Sequence, residues 1–299
     1  MSVVERALRL AQESQNLLAI VGPTASGKTA LAVALAEKLG GEVVSADSVQ
    51  IYKGFDAGSG KPTAEEIARA PHHLVSAIDP FDPIDAAAWA ELASRRISEI
   101  RARGRVPIVC GGTFLWIKVL RFGLAEAPAA SGQIRDQHRA IAEREGRAGL
   151  HARLGAVDAE TAARLHPNDL VRVSRALEVY ELSGKVLSAW QREHAFASIR
   201  HPARLIALGH DPAVLTERIR ARVTSWLAHG WIEEVEGLLR RGCGSARAMG
   251  SVGYAQVSAM IQGGLAREDL AEAIVRATRV FARRQRTWLR HADATVLET

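Results

Sequence analysis

Short apolar runs recur along the chain between longer stretches in which apolar residues return every three or four positions. The runs predict strands at Leu17 to Val21, Glu42 to Ala46, His73 to Ile78, Val106 to Cys110, Arg204 to Gly209 and Ala294 to Leu297. The longer periodicity predicts helices at Lys28 to Leu39, Ala86 to Arg103, Thr113 to Leu120, Pro212 to His229 and Trp231 to Arg240, with a short helix or frayed arm over Met1 to Asn16. Strands alternating with helices are the signature of a parallel sheet covered by helices, an α/β fold. From Ala125 to about Arg200 the alternation stops: an Ala-rich, Pro-containing stretch gives way to helical patterns with no strand-like run. The expected organisation is an α/β core domain from residues 1–124 and 201–299, interrupted by an all-helical insertion over 125–200.

Composition narrows the class. At 299 residues, 47% hydrophobic and 24% charged, the chain can bury a sizeable core, which excludes disordered and mini-protein readings. Its longest apolar run ends at Gly22-Pro23, far short of the roughly 20 residues a bilayer requires, and Met1 to Asn16 lacks the continuous apolar block of a secretory signal. A cytoplasmic protein with no membrane association is expected. Cys110 and Cys243 stand alone, without a C-x-x-C pair, so neither a disulfide framework nor a zinc site is indicated.

Charge adds a partner. Arginine supplies 33 of the 39 basic residues, and most of the net +6 comes from the last third, which has no lysine. A partner bearing phosphates is expected to meet that third. Within it, Arg276, Arg279, Arg283, Arg286 and Arg290 fall in one helical sector roughly 80° wide, with no acid between Glu272 and Asp293. Ile274, Phe281 and Trp288, spaced by seven, fall on another side and are expected to pack, and Arg284 lies about 80° outside the stripe.

The sharpest motif is Gly22-Pro23-Thr24-Ala25-Ser26-Gly27-Lys28-Thr29, which fits G-x-x-x-x-G-K-S/T directly after an expected strand and directly before an expected helix. Such a P-loop curls so that backbone N–H groups face an anion at a helix N-terminus, the lysine neutralises oxygens, and Thr29 can hold Mg2+. It binds a polyphosphate without saying which one. Enzymes that use nucleoside triphosphates usually place an acid at the end of a second strand, but Val106 to Cys110 runs into Gly111-Gly112-Thr113. The nearest alternative acid is Asp47, at the end of the strand after the P-loop helix, which in a doubly wound sheet opens onto the same crevice. A small-molecule or nucleoside kinase and a non-catalytic P-loop RNA-binding protein both remain open at this point.

Further residues narrow the choice. Pro23 to Thr29, Ser45-Ala46-Asp47-Ser48-Val49-Gln50-Ile51-Tyr52-Lys53-Gly54 and Gly58-Ser59-Gly60-Lys61-Pro62 together resemble the tRNA dimethylallyltransferases, also called tRNA isopentenyltransferases. His72-His73-Leu74, Gly111-Gly112-Thr113, His166-Pro167-Asn168-Asp169, Arg175 to Val179, Gly253-Tyr254 and Thr278 to Arg290 match in the family's order. The resemblance implies transfer of a dimethylallyl group from its diphosphate to N6 of the adenosine immediately 3′ of the anticodon, in tRNAs reading codons that start with U. It implies a P-loop (Gly22, Pro23, Thr24, Ala25, Ser26, Gly27, Lys28 and Thr29) that holds the diphosphate together with Arg218, with Mg2+ on Thr29. Asp47 is then the general base and Thr113 the contact near the reaction centre. The anticodon stem-loop is implied to meet Asp47, Ser48, Val49, Gln50, Thr113, Val171, Arg172, Val173, Ser174, Arg175, Arg279, Arg283 and Arg286, with Ser48 and Gln50 seating the adenine. Where the family usually carries Pro-Gln this chain has Leu170-Val171, where it usually carries Arg after Gly-Tyr there is Ala255, and Gly250-Ser251 is unusual. No zinc finger follows Arg290, as in the bacterial type, and a monomer with no obligate protein partner is expected.

Overall fold

A computed structural model describes residues 1–195 and 197–298. It divides into two compact units, Met1–Arg121 with Arg200–Thr299, and Phe122–Ile199.

The first unit is built on six strands, β1 (Leu17–Val21), β2 (Gly41–Ser45), β3 (His72–His73), β4 (Val106–Gly111), β5 (Ala203–Gly209) and β6 (Ala294–Glu298), all parallel in the order β3-β2-β4-β1-β5-β6. β1 and β2 are buried along their whole length, and β1 accordingly reads as a continuous apolar run instead of an alternating one. Helices cover both faces. Lys28–Leu39 buries Leu31, Ala32, Val33, Leu35 and Ala36 on one side and stops at Gly40, whose left-handed backbone closes its last turn. Ala86–Ala102, Phe114–Phe122, Pro212–Ala228 and Leu270–Leu289 bury residues into a second core, to which Trp89 and Trp116 contribute a stacked pair with centroids 5.0 Å apart.

One expected strand is corrected. Instead of running from His73 to Ile78, β3 stops at His73, because Leu74 (φ 60°) and Ser76 (φ 49°) turn the chain through left-handed backbone. Ser76 and Ala77 instead donate their N–H groups to the carbonyls of Gln50 and Ile51, and Ile78 forms an isolated bridge with Tyr52. The segment thereby buttresses the loop that follows β2.

The second unit holds helices and no strand among its described residues: Gly132–Val157, with a break at Gly146, then Ala159–Arg164, Leu170–Ser183 and Leu187–His194. Leu150, Leu154, Ala162, Val173, Ala176 and Leu177 form its core. Glu178, fully buried, accepts hydrogen bonds from Arg135, Arg175 and the Ser131 N–H. Among the described residues no helix is long and apolar enough to cross a membrane.

Candidate active site

Register decides what meets at the sheet's C-terminal edge. Val21 lies beside Gly111, and Ser45 beside Cys110, so β1, β4 and β2 end level with one another. The loops that leave them carry the P-loop, Asp47 to Gln50, and Gly112-Thr113. They open into one cavity of about 450 Å3. Thr24, Lys28, Thr29, Asp47, Thr113 and Arg222 all line it.

The P-loop end is cationic and recessed. Gly27 (φ 85°) takes a left-handed backbone that a side chain would strain, and it opens the helix Lys28–Leu39, whose first N–H groups have no partner within the helix. Lys28 is half-buried; loss of hydration lowers its pKa, while the nearby Asp47 carboxylate pulls the other way. Arg222 is half-buried too, and desolvation lowers its pKa to about 10, again opposed by Asp47. Its guanidinium donates to the Thr24 hydroxyl and lies over the Trp226 ring, 4.6 Å from the centroid. The Arg222 Nε and Ser26 Oγ are buried and have no hydrogen-bond partner among the described residues. Unpaired buried donors beside a lysine are what an anion-binding cradle presents.

The opposite side holds a carboxylate in place. Asp47 Oδ1 accepts the N–H groups of Val49 (2.9 Å) and Gln50 (3.2 Å). Thr113 Oγ1 accepts the Ser48 N–H at 3.0 Å, and its own N–H donates to the Ala46 carbonyl. Asp47 and Thr113 are thus fixed by the same turn.

Several residues take other positions than the sequence suggested. Arg218 does not line the cavity: its guanidinium sits 3.3 Å from His210 Nε2, which itself lies 2.6 Å from the Ser26 carbonyl. On the Arg218 helix the arginine that lines the cavity is Arg222, one turn further along. Gln50 lines the wall, but its amide is occupied, Nε2 donating to the Ser59 and Gly60 carbonyls and Oε1 accepting from the Ser45 hydroxyl. These bonds tie the turn after Asp47 to the loop of Ser59 and Gly60. In the helical unit, Asp169 caps a helix that starts at Leu170, so its period turns Val173 and Ser174 inward and leaves Val171 (79% exposed) and Arg172 facing solvent. Arg175 is committed to Glu178 and to the Pro128 carbonyl, 2.6 Å away. Arg276, Arg279, Arg283 and Arg286 are exposed as expected and border a second groove, with Leu215 and Ile219. Arg284 faces the main cavity.

Three residues quoted only as part of a motif prove structural. The buried Gln285 accepts the Thr24 N–H (2.9 Å) and donates to the Gly112 carbonyl (2.9 Å), joining the arginine-bearing helix to the P-loop and to the turn before Thr113. Tyr254 donates to Glu234 (2.7 Å) and accepts the Gly58 N–H, while Glu234 accepts the N–H groups of Asp56 and Ala57. Lys61 binds the Tyr52 carbonyl, Asp56 and Ser76. Together they pin the loop of Gly58 to Gly60 as the cavity's wall, and any side chain at Gly58 would collide with the Trp231 indole, 1.9 Å from a Cβ.

A family model described as IPP transferase matches residues 50–292, and one described as Isopentenyl transferase matches residues 15–75. The tRNA dimethylallyltransferase of Sorangium cellulosum is 65% identical over 92% of this chain and 88% of its own length, and that of Myxococcus xanthus 47% identical over 94% and 91%. Among solved structures, the full-length tRNA isopentenylpyrophosphate transferase of Bacillus halodurans aligns with a TM-score of 0.70 at 34% identity, covering 95% of this chain and 90% of that one. A eukaryotic dimethylallyltransferase solved acting on tRNA aligns with a TM-score of 0.78 at 25% identity, covering 95% and 74%.

Proposed function

The chain belongs to the IPP transferase family, that of the tRNA dimethylallyltransferases, and from that membership we propose that it moves the dimethylallyl group of dimethylallyl diphosphate to N6 of the adenosine 3′ to the anticodon, in tRNAs reading codons that start with U, releasing diphosphate. The observation that carries the reading is a cavity lined by Thr24, Lys28 and Thr29 of the P-loop together with Asp47 and Thr113.

An exocyclic amine is a weak nucleophile because its lone pair is delocalised into the ring. Attack on the allylic carbon forms the N6–C bond and breaks the C–O bond to diphosphate, and a proton must leave N6. Asp47 accepts that proton, a contribution of about 10² to 10⁴ in rate for general-base catalysis. Lys28, Arg222 and the P-loop amides take up the charge growing on the departing diphosphate. Loosening the C–O bond gives the allyl group cationic character, which the apolar wall of Trp226 and Trp231 shields from water. Thr113 and Ser48 keep Asp47 aimed. The Thr29 hydroxyl lines the same cavity and is a hard oxygen donor of the kind that would hold Mg2+. That ion would neutralise the leaving group further. The adenosine must leave its stack to enter, at a cost of a few kcal/mol that is least in a loop. Arg172 and the stripe Arg279, Arg283 and Arg286 present exposed guanidinium groups to the RNA backbone. The work belongs in the cytoplasm, where tRNA is used.

The test is the identity of the P-loop ligand. Dimethylallyl diphosphate should support transfer to tRNA, and Lys28→Ala should abolish it. Equal or better turnover with ATP as phosphoryl donor to a small molecule would overturn the reading.

A further inference from the structure

We propose that Phe281 is a stacking platform for a loop base next to the target adenosine, at the mouth of the cavity. The inference rests on the tRNA reading above.

Seven-residue spacing groups Phe281 with Ile274 and Trp288, yet the three part company in the fold. Ile274 is buried and Trp288 stacks on Phe114 with centroids 4.3 Å apart, while Phe281 remains 38% exposed. No other ring pairs with it among the described residues. Its helix is nonetheless firmly seated around it, since Thr278, three residues before, and Gln285, four residues after, are both buried. At 38% exposed, the Phe281 ring forgoes part of the stabilisation that full burial of a phenyl group brings.

Its surroundings give the ring a partner. Phe281 and Arg284, one turn apart, line the same cavity as Lys28 and Asp47, and both are exposed. The two other rings that line the cavity are already engaged: Trp231 is buried against Tyr254, and Trp226 meets Trp231 edge-on while carrying the Arg222 guanidinium. Proteins hold unpaired RNA loops by stacking bases on aromatic faces, with arginines at the adjoining phosphates. A base that swings into the cavity strips one face of its neighbour in the stack. Phe281 offers a π face to that neighbour at the point of entry, and Arg284 a charge to the linking phosphate.

The test compares the wild type with Phe281→Ala, Phe281→Leu and Phe281→Tyr on an unmodified anticodon stem-loop and dimethylallyl diphosphate. Wild-type transfer is measured first, so that failure of the tRNA reading is seen separately. Stacking on an aromatic side chain supports a rise in KM for the stem-loop of about tenfold or more in Phe281→Ala, with KM for dimethylallyl diphosphate unchanged. Phe281→Leu, which keeps apolar bulk without a π face, should be equally weak, and Phe281→Tyr should recover wild-type KM. 2-Aminopurine placed beside the target adenosine should stay quenched in the wild-type complex and brighten with Ala and Leu. Wild-type behaviour of Phe281→Leu, or an unchanged KM in Phe281→Ala, would overturn the proposal.

Discussion

Asp47 owes its orientation to its own turn: one carboxylate oxygen is spent on the Val49 and Gln50 N–H groups. An asparagine keeps that acceptor, so Asp47→Asn should fold and bind tRNA as the wild type does while the chemical step slows by about 10² or more. Single-turnover rates within threefold of wild type would assign the proton to another group. Arg218 and Arg222, both on the helix Pro212–Ala228, make a paired test. Arg222→Gln should lower transfer by about 10² to 10³, the loss expected when one donor to a developing anion is removed, whereas Arg218→Gln should stay within a few-fold. An equal loss at Arg218 would mean that its contact with His210 gives way when substrate binds. The P-loop and Asp47 were legible because each lies in a contiguous motif whose chemistry is local. The choice between Arg218 and Arg222 was not, since both stand on one helix a turn apart and the sequence does not say which turn faces the loop. Gln50 and Arg175 illustrate a second blind spot: the carbonyls that their side chains bond, at Ser59, Gly60 and Pro128, come from other parts of the chain.

Among the elements, the helix Leu270–Leu289 does most to join binding to chemistry. Its arginine stripe faces outward and its Gln285 holds the P-loop from within. Changing Arg279 and Arg286 together to Gln should weaken tRNA binding and flatten its dependence on salt by about 1 to 2 units of slope, up to one for each phosphate that an arginine no longer neutralises. Affinity for dimethylallyl diphosphate should hold, because neither residue lines that cavity. An unaltered slope would reduce the stripe to a solvated face. Periodicity placed this stripe correctly, since an exposed sector depends only on helix geometry. It put Arg284 outside the stripe, as found, but did not show that Arg284 faces a cavity or that Phe281 stays exposed, because a cavity, unlike solvent, is defined by what other elements leave open. The strand expected from His73 to Ile78 failed for a related reason: its apolar residues serve the loop after β2, and left-handed Leu74 and Ser76 carry no signature in the sequence.

In the whole molecule the P-loop unit carries the reaction and the helical unit has its own source of stability. Burial alone would raise the pKa of Glu178, but hydrogen bonds from Arg175, Arg135 and the Ser131 N–H outweigh it and hold the carboxyl below its ordinary value. A carboxylate with a depressed folded pKa stabilises above its unfolded pKa and loses that contribution as pH falls through the folded one. Glu178→Gln should therefore cost about 1 to 3 kcal/mol at neutral pH, below the full cost of breaking a buried pair because both arginines retain access to water. Melts followed at neutral and acid pH should show the gap between the two proteins closing as the carboxyl protonates; a gap independent of pH would contradict the account. The reaction of the intact protein is tested most directly by its product. Incubated with dimethylallyl diphosphate, Mg2+ and tRNA lacking the modification, then digested and weighed as nucleosides, the tRNA should yield N6-dimethylallyladenosine from the position 3′ to the anticodon. Adenosine recovered unmodified, with phosphate from ATP transferred to a small molecule instead, would contradict the account.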